Sequence, residues 1–334
     1  MKAFITATFE AGELARLRRR MEVVHEDWRK TQKVYFSGEE LVVRLREIGA
    51  DVLIVEADLV HEEVIDGCGL KIIGAARGDP VNIGIEHATR RRIPVFFAPA
   101  RNAQAVAELT VGFLLCCFRR IHEINHELRS GRMRFERTRD FLGAYERYTG
   151  YELEGKTIGI VGFGAIGQRV ARAVSGFGCR VLAYDPYVDA GSFERLGAER
   201  TDLDPLIAAC DVLTVHCPEA PATTDLVNAE RVRALKPGAY VLNLARARVL
   251  NEDALYEGLV SGRIAGAGLD VFQQEPIQPD NRFLKLANVV VAPHYGGNTH
   301  ETVVRQSRMM VDAIEDFLDG RRPKHVVNPE VLTP

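Results

Sequence analysis

Residues 157–174 read TIGIVGFGAIGQRVARAV, and the rest of the chain is organised around them. The apolar run of Ile158, Ile160 and Val161 has the character of a buried parallel strand. A turn on Gly162, Gly164 and Gly167 follows, and Ile166, Val170 and Val174 then fall at helical spacing. In such a G-x-G-x-x-G the first glycine permits the tight turn, and the second lets a pyrophosphate approach the backbone. The third lets helix and strand pack closely. The helix opening at Ala165 and Ile166 then points free N–H groups and its positive dipole end at the phosphates.

Glycine-rich turns are common in α/β proteins, so the context decides. A second strand, Arg180–Tyr184, ends in Asp185, eighteen residues past Gly167, where an acid grips the ribose hydroxyls of an adenosine. Pro186, Tyr187 and Val188 follow, and no basic residue appears before Arg195. A 2′-phosphate would meet a carboxylate there, so NAD is expected rather than NADP.

A chain of 334 residues exceeds what one core usually organises, which predicts two domains. With 46% hydrophobic and 27% charged residues it has the composition of a globular protein, and a net charge of −3 gives no overall pull toward nucleic acid or anionic membranes. The six cysteines form no C-x-x-C pair or metal-type spacing, so no metal site is expected. Cys116, Cys117, Cys210 and Cys217 sit in apolar runs, as reduced thiols of a cytosolic protein do. The longest apolar stretch, residues 111–118, is too short to cross a bilayer, and Glu10 arrives before any secretory apolar region develops. A cytoplasmic location without membrane or nucleic-acid partners is expected.

Up to about residue 100, apolar runs alternate with amphipathic segments. Strands are predicted at 3–8, Glu22–His25, Val52–Val55, 71–73 and 94–97, with helices such as Gly38–Ile48 and 85–92 between them. The arginines at 16, 18–20 and 90–92 lie among acids on these helices and read as a solvated face. From Asn102 to about 130–131, Val106, Leu109, Phe113, Cys117, Ile121, Ile124 and Leu128 recur at three and four residues. That spacing predicts a single helix of roughly 28 residues bridging two domains. The arginine-dense segment 129–147 is expected to be a polar, subunit-contacting loop, with anion binding as the alternative. Six strands follow at Thr157–Val161, Arg180–Tyr184, Val212–Val215, 239–244, Ile264–Leu269 and Val289–Val291. A last helix is expected from Asn298, capped through Asn298 and Glu301, and ended by Gly320 and Pro323.

The fold class is therefore α/β, with two doubly wound parallel-sheet domains. A Rossmann NAD-binding domain, residues 101–299, is inserted into a flavodoxin-like substrate domain made of residues 1–100 and 300–334. Ligands of such sheets lie beyond the carboxyl ends of the strands. This places His216, Cys217, Pro218, Ala245, Arg246, Asp270 and His294 on the cofactor side.

Three of these positions suit hydride transfer between a carbinol and NAD. The planar guanidinium of Arg246 can hold a carboxylate bidentately and lean on the neighbouring carbonyl oxygen. His294 can take the hydroxyl proton during oxidation and return it during reduction. Glu275 can bond to that imidazole and fix its tautomer.

The segments NLARARVLNEDAL (243–255), GLDVFQQEP (268–276) and APHYGGNT (292–299) resemble the D-isomer-specific 2-hydroxyacid dehydrogenases. So do VGFGAIG (161–167), V-H-C-P-x-x-P-x-T (215–223) and N-x-x-x-V-A-E-L-T (102–110). The resemblance spans nearly the whole chain. It implies Arg246, Glu275 and His294 in the roles just argued, with Thr223 and Gly296 among the cofactor contacts and Asn102 among the substrate contacts. It also implies a homodimer built through the nucleotide domain and a cleft that closes over the substrate, a small 2-hydroxy or 2-keto acid.

Two departures stand out. The family usually has glycine after the catalytic arginine, where this chain has Ala247, and a small adjustment is expected. Family members commonly carry a glycine-rich turn whose N–H groups hold the substrate carboxylate, where this chain has GAARGDPVNIG (74–84). There Arg77 with Gly78 offers a second positive charge for a larger, anionic or polyhydroxy substrate, or else Arg77 pairs with Asp79 and only shapes the turn. Glu56 and Asp58, after the strand Val52–Val55, would repel a phosphate and argue against a phosphoglycerate dehydrogenase. That enzyme remains the alternative within the family. An NAD-sensing corepressor-like binding protein is the alternative outside enzymes, and formate and phosphite dehydrogenases share the architecture.

Overall fold

A computed structural model of the chain describes residues 1–332. The chain divides into two compact units, residues 1–102 with the chain from Asn298 onward, and Ala103–Gly297. Both boundaries fall two residues from the expected ones, and positions 333 and 334 of the expected substrate domain lie outside the described residues.

The first unit holds a five-stranded parallel sheet of β1 (Lys2–Ile5), β2 (Glu22–His25), β3 (Val52–Val55), β4 (Ile72–Ala75) and β5 (Val95–Phe97), in the order β2-β1-β3-β4-β5. Every residue of β3 and β4 is buried, because helices cover both faces. Leu41 and Leu45 of helix Gly38–Ile48 pack with Val64, Ile65 and Ile73 on one side. On the other, Leu14 and Leu17 of helix Ala11–Arg18 join Met310, Val311 and Ile314 of helix His300–Leu318 against Ile5, Ile54 and Phe96. The last helix is capped by Thr299, whose hydroxyl accepts from Thr302 N at 3.2 Å; the expected Asn298 cap is one residue too early. Beyond it the chain returns antiparallel to β5, with Val327 N donating to Val95 O at 2.9 Å.

The second unit holds a seven-stranded sheet, again parallel throughout. Its strands are β6 (Thr157–Val161), β7 (Arg180–Tyr184), β8 (Glu199–Arg200), β9 (Val212–Val215), β10 (Ala239–Asn243), β11 (Ile264–Leu269) and β12 (Val289–Val291). The order is β12-β11-β10-β9-β6-β7-β8. The strand absent from the expected six is β8, a two-residue edge piece with both residues exposed and no apolar pattern to announce it. The order reverses at β6, so the crevice for a ligand opens where the glycine turn begins.

The expected 28-residue bridge does not exist. Helix Ala103–Phe118 ends at a left-handed Arg120 (φ 52°), and a separate helix Ile121–Arg129 follows. The cause is a return of the chain, since Tyr151 N donates to Phe118 O at 2.9 Å, and a Cβ on Gly150 would stand 2.5 Å from that same oxygen. Val106, Phe113 and Cys117 are buried in the second unit's core, whereas Ile121 and Leu128, read as continuing the stripe, are exposed. The arginine-dense segment is also not simply a loop, because residues Thr138–Arg147 form a helix. All six cysteines are free, and Cys116 is only half-buried. Among the described residues no helix is long and apolar enough to cross a membrane.

Candidate active site

The turn after β6 is shaped by contact. Gly162 adopts φ 95°, and a Cβ there would meet Cys217 N at 2.5 Å, so the turn lies directly on the strand end of β9. A Cβ on Gly167 would collide with the Gly162 carbonyl oxygen, which is how helix Ala165–Ser175 sits against the turn. Gly164, the N-cap, faces open space with nothing within 4 Å of a Cβ, and no side chain caps the helix. The N–H groups at Ala165 and Ile166 are thus left to an anion.

Asp185 stands at the carboxyl end of β7. Its carboxylate accepts from Phe163 N at 2.8 Å and Tyr187 N at 2.9 Å, which fixes it beside the glycine turn while each oxygen keeps a lone pair for a ribose hydroxyl. These residues fit the adenosine diphosphate half of NAD. At the end of β9, His216 is buried and bonds through Nε2 to Thr214 Oγ1 at 2.9 Å, while its Nδ1 has no partner. Burial pushes this histidine down to about 3, so it is neutral in the fold. Burial likewise pushes the Cys217 thiol up to about 11. Thr223 closes the following loop by accepting from Ala220 N at 2.8 Å and donating to Pro218 O at 2.6 Å.

At the end of β10, Asn243 accepts from Ala245 N at 3.1 Å and donates to Arg246 O at 3.0 Å, a local turn that presents Arg246. The exposed guanidinium gives one N–H to Ala245 O at 2.8 Å and keeps the others. Ala247 starts a short 3-10 turn, Ala247–Val249, without positive φ, so the side chain in place of glycine is accommodated. After β12, His294 takes a left-handed φ of 59°, unusual for a residue with a side chain. Its N–H donates to Asp270 O at 2.7 Å, and the buried Asp270 carboxylate accepts from Tyr295 N and Gly296 N, each at 2.7 Å. Burial raises the Asp270 pKa, and those two N–H bonds oppose the rise.

His294 Nδ1 lies 2.8 Å from Glu275 Oε2, and the other Glu275 oxygen accepts from Phe272 N at 3.1 Å. Burial favours a protonated Glu275, but the hydrogen bond and charge of His294 outweigh it, with Arg246 adding to the pull, so the carboxyl sits below its usual range. Glu275 thus bonds His294 directly, and the charge of Arg246 acts on the same carboxyl.

In the first unit Arg77 and Gly78 follow β4, and Ala98 N, at the end of β5, donates to Arg77 O at 2.8 Å. Among the described residues no ion pair joins Arg77 to Asp79. Asn102 is half-buried where the first unit passes into the second. Asp58 is fully buried and accepts from Thr6 Oγ1 at 2.5 Å and Tyr35 N at 2.8 Å. Glu56 is held by Arg101 Nη2 at 3.3 Å and Trp28 Nε1 at 3.1 Å. Asp58 is thus turned into the core and Glu56 is paired with a cation, so neither stands as a free acid after β3.

Residues 111–296 match the sequence profile described as D-isomer specific 2-hydroxyacid dehydrogenase, NAD binding domain. The chain belongs to this family. Among 2-hydroxyacid dehydrogenase relatives, a glyoxylate reductase of Thermofilum pendens is 37% identical over 337 residues, covering 99% of this chain and 95% of that protein. A D-3-phosphoglycerate dehydrogenase of Archaeoglobus fulgidus is 34% identical over 302 residues, which are 90% of this chain but 55% of that protein. The chain thus spans about half the length of that relative. The crystal structure of the TT0316 protein from Thermus thermophilus superposes with a TM-score of 0.85 at 33% identity, covering 98% of this chain and 100% of that one. The fold is that of 2-hydroxyacid dehydrogenases, and residues 111–296 are an NAD-binding domain.

Sequence reading did not single out Trp28 and Arg101, whose partner Glu56 is distant in sequence, or Thr214, which bonds to His216 two residues on. Asn243 carried a visible signal, an Asn-x-x-Arg at a strand end.

Proposed function

We propose that this protein interconverts a D-2-hydroxy acid and its 2-keto acid with NAD(H). Bound nicotinamide supplies the hydride chemistry, and the chain supplies the proton and the charge. Glu275 accepts a hydrogen bond from His294 Nδ1–H, which leaves Nε2 as the basic nitrogen. Nε2 takes the hydroxyl proton during oxidation and returns it to the carbonyl oxygen during reduction, while the Glu275 carboxylate offsets the charge that arrives on the ring. The free N–H groups of Arg246 hold the substrate carboxylate and polarise the adjacent carbonyl. Asp270 acts as a positioning residue by holding the turn that carries His294. Gly162, Gly164, Ala165, Ile166, Gly167 and Asp185 hold the cofactor's adenosine diphosphate, with His216, Cys217, Pro218, Thr223, Ala245, Asp270 and Gly296 near the nicotinamide. The first unit is the substrate domain, contributing Arg77, Gly78 and Asn102.

The observation that carries this reading is the 2.8 Å pairing of His294 with Glu275, on a carboxylate that also feels Arg246. The test is reduction of a 2-keto acid panel with NADH and NADPH. Activity with NADH that survives in His294→Ala would remove the mechanism.

A homodimer through the second unit is supported by exposed Phe135, Phe141, Leu142 and Tyr145 on one excursion of the chain, where Phe141 meets Phe135 edge-on and Tyr145 at a tilt. Sedimentation velocity of the wild type against Phe141→Asp tests it. A reducing, cytoplasmic location is supported by six free thiols.

A further inference from the structure

Between β11 and the 3-10 turn Arg282–Lys285, residues 271–277 carry Glu275 on a segment with no helix or strand of its own. Phe272, near its start, is buried in the core of the second unit. Two successive N–H groups then go to two different carboxylates. Phe272 N donates to Glu275 Oε1 at 3.1 Å, and Gln273 N donates to Glu252 Oε1 at 2.9 Å. Among the described residues no other hydrogen bond ties the backbone of 271–277 to another element.

Glu252 is placed for that role. It opens helix Glu252–Val260, which Asn251 caps by accepting from Ala254 N at 3.0 Å, and a carboxylate is favoured at a helix N-terminus. Its neighbour on the same turn behaves differently. Asp253 is exposed and accepts from Arg282 Nη2 at 2.6 Å, a solvent-facing pair of small energetic weight, whereas Glu252 is half-buried. Burial raises the Glu252 pKa, the Gln273 N–H opposes the rise, and the charges of Asp253 and Glu275 add to it, so the Glu252 and Glu275 carboxyls feel one another. Gln273 N belongs to the planar peptide that begins at Phe272. Holding it therefore restrains the backbone at Phe272, whose own N–H is bonded to Glu275.

We propose that Glu252 is a positioning residue: by holding Gln273 N it keeps the loop in the conformation that sets Glu275 against His294 Nδ1. This rests on the proposed function. Glu252 acts through Glu275 and not on the substrate.

The test measures reduction of glyoxylate, pyruvate and hydroxypyruvate with NADH in Glu252→Ala, Glu252→Gln and Asp253→Ala. Glu252→Ala should lose about 10-fold or more in kcat while the KM for NADH stays within about twofold of wild type, the glycine turn being untouched. Glu252→Gln keeps an oxygen that accepts from Gln273 N and should stay within about threefold of the wild-type kcat, and Asp253→Ala should match wild type. In a Glu275→Ala background, adding Glu252→Ala should cost less than about twofold, because a residue that acts through Glu275 then has nothing to position. An unmoved rate in Glu252→Ala, a glutamine no better than alanine, or a loss undiminished in the Glu275→Ala background overturns the assignment. If the wild type reduces none of the three acids, the proposed function fails, and the positioning is judged on the ring by 1H–15N NMR. At about pH 8, where an imidazole is neutral, His294 should carry its proton on Nδ1 in wild type and Glu252→Gln, and on both nitrogens in exchange in Glu252→Ala. The same tautomer in all three proteins overturns it.

Discussion

The Asp270 carboxylate and the Gly296 backbone are fitted to one another. Oδ2 accepts the Gly296 N–H at 2.7 Å, and a Cβ at position 296 would stand 2.8 Å from that same oxygen. Gly296→Ala therefore pushes the carboxylate aside and displaces the turn that carries His294. Asp270→Asn acts on the same joint, because an amide accepts only one of the two N–H groups now bonded and turns its own N–H toward the other. Both variants are expected to lose about 10-fold or more in kcat, since small misplacements of a reacting group are costly. Steady-state kinetics check this, and wild-type kcat in both would show that the joint does not position His294.

The left-handed backbone of His294 separates chemistry from folding. Asparagine tolerates that conformation, so His294→Asn should keep the melting temperature within about 2 °C while kcat falls by about 100-fold or more. Glu275→Gln retains a hydrogen-bond acceptor but removes the charge. Its kcat/KM should fall by about 10-fold or more, because the charge that arrives on the ring has lost its counter-charge. The stability effect has a definite sign. Glu275 is held below its usual pKa, so the stabilisation it gives is present above about pH 4.3, its unfolded value, and fades as pH falls through the lower folded value. Melting curves of the two proteins should thus converge toward acidic pH.

His216 adds a second acid response of the same sign. Buried and pushed down to about 3, it stays neutral in the fold, whereas the unfolded chain takes up a proton below about pH 6.5. Its contribution to stability therefore declines as pH drops from about 6.5 toward 3. His216→Phe loses the bond to Thr214 and should cost about 1 kcal/mol at pH 7. At pH 5 the order should reverse, with the variant the more stable by denaturant titration. A gap that stays constant across that range would show that this ring does not titrate between the two states.

Asp185 should govern the choice of cofactor. Its carboxylate is already fixed by Phe163 N and Tyr187 N, so a ribose bearing a 2′-phosphate meets an anion that cannot swing away. Asp185→Ala is expected to raise the KM for NAD and to shrink the preference for NAD over NADP by about 10-fold or more, one charge-assisted contact having been lost. Parallel assays with both cofactors decide this.

Features with local causes were legible in the chain, and features with distant ones were not. The glycines at 162, 164 and 167 and the apolar run of β6 lie within eleven residues of one another, so the phosphate turn could be read directly. Arg246, Glu275 and His294 were readable because each follows a strand whose apolar run is plain. The break at Arg120 was hidden, because apolar spacing continues through Ile121 while its cause, Gly150 with Tyr151, arrives thirty residues later. Asp58 looked like a free acid, yet its partners Thr6 and Tyr35 lie 52 and 23 residues away. Two residues such as Glu199 and Arg200 carry too little pattern to declare a strand.

That same short strand has a bearing on how the protein behaves when concentrated. It terminates one side of the seven-stranded sheet with two charged residues, and Arg180 of the adjoining strand clasps Glu199 at 2.6 Å. A foreign chain arriving there finds hardly any backbone to register against and a pair of ions to desolvate, so the margin is poor seed for fibre growth.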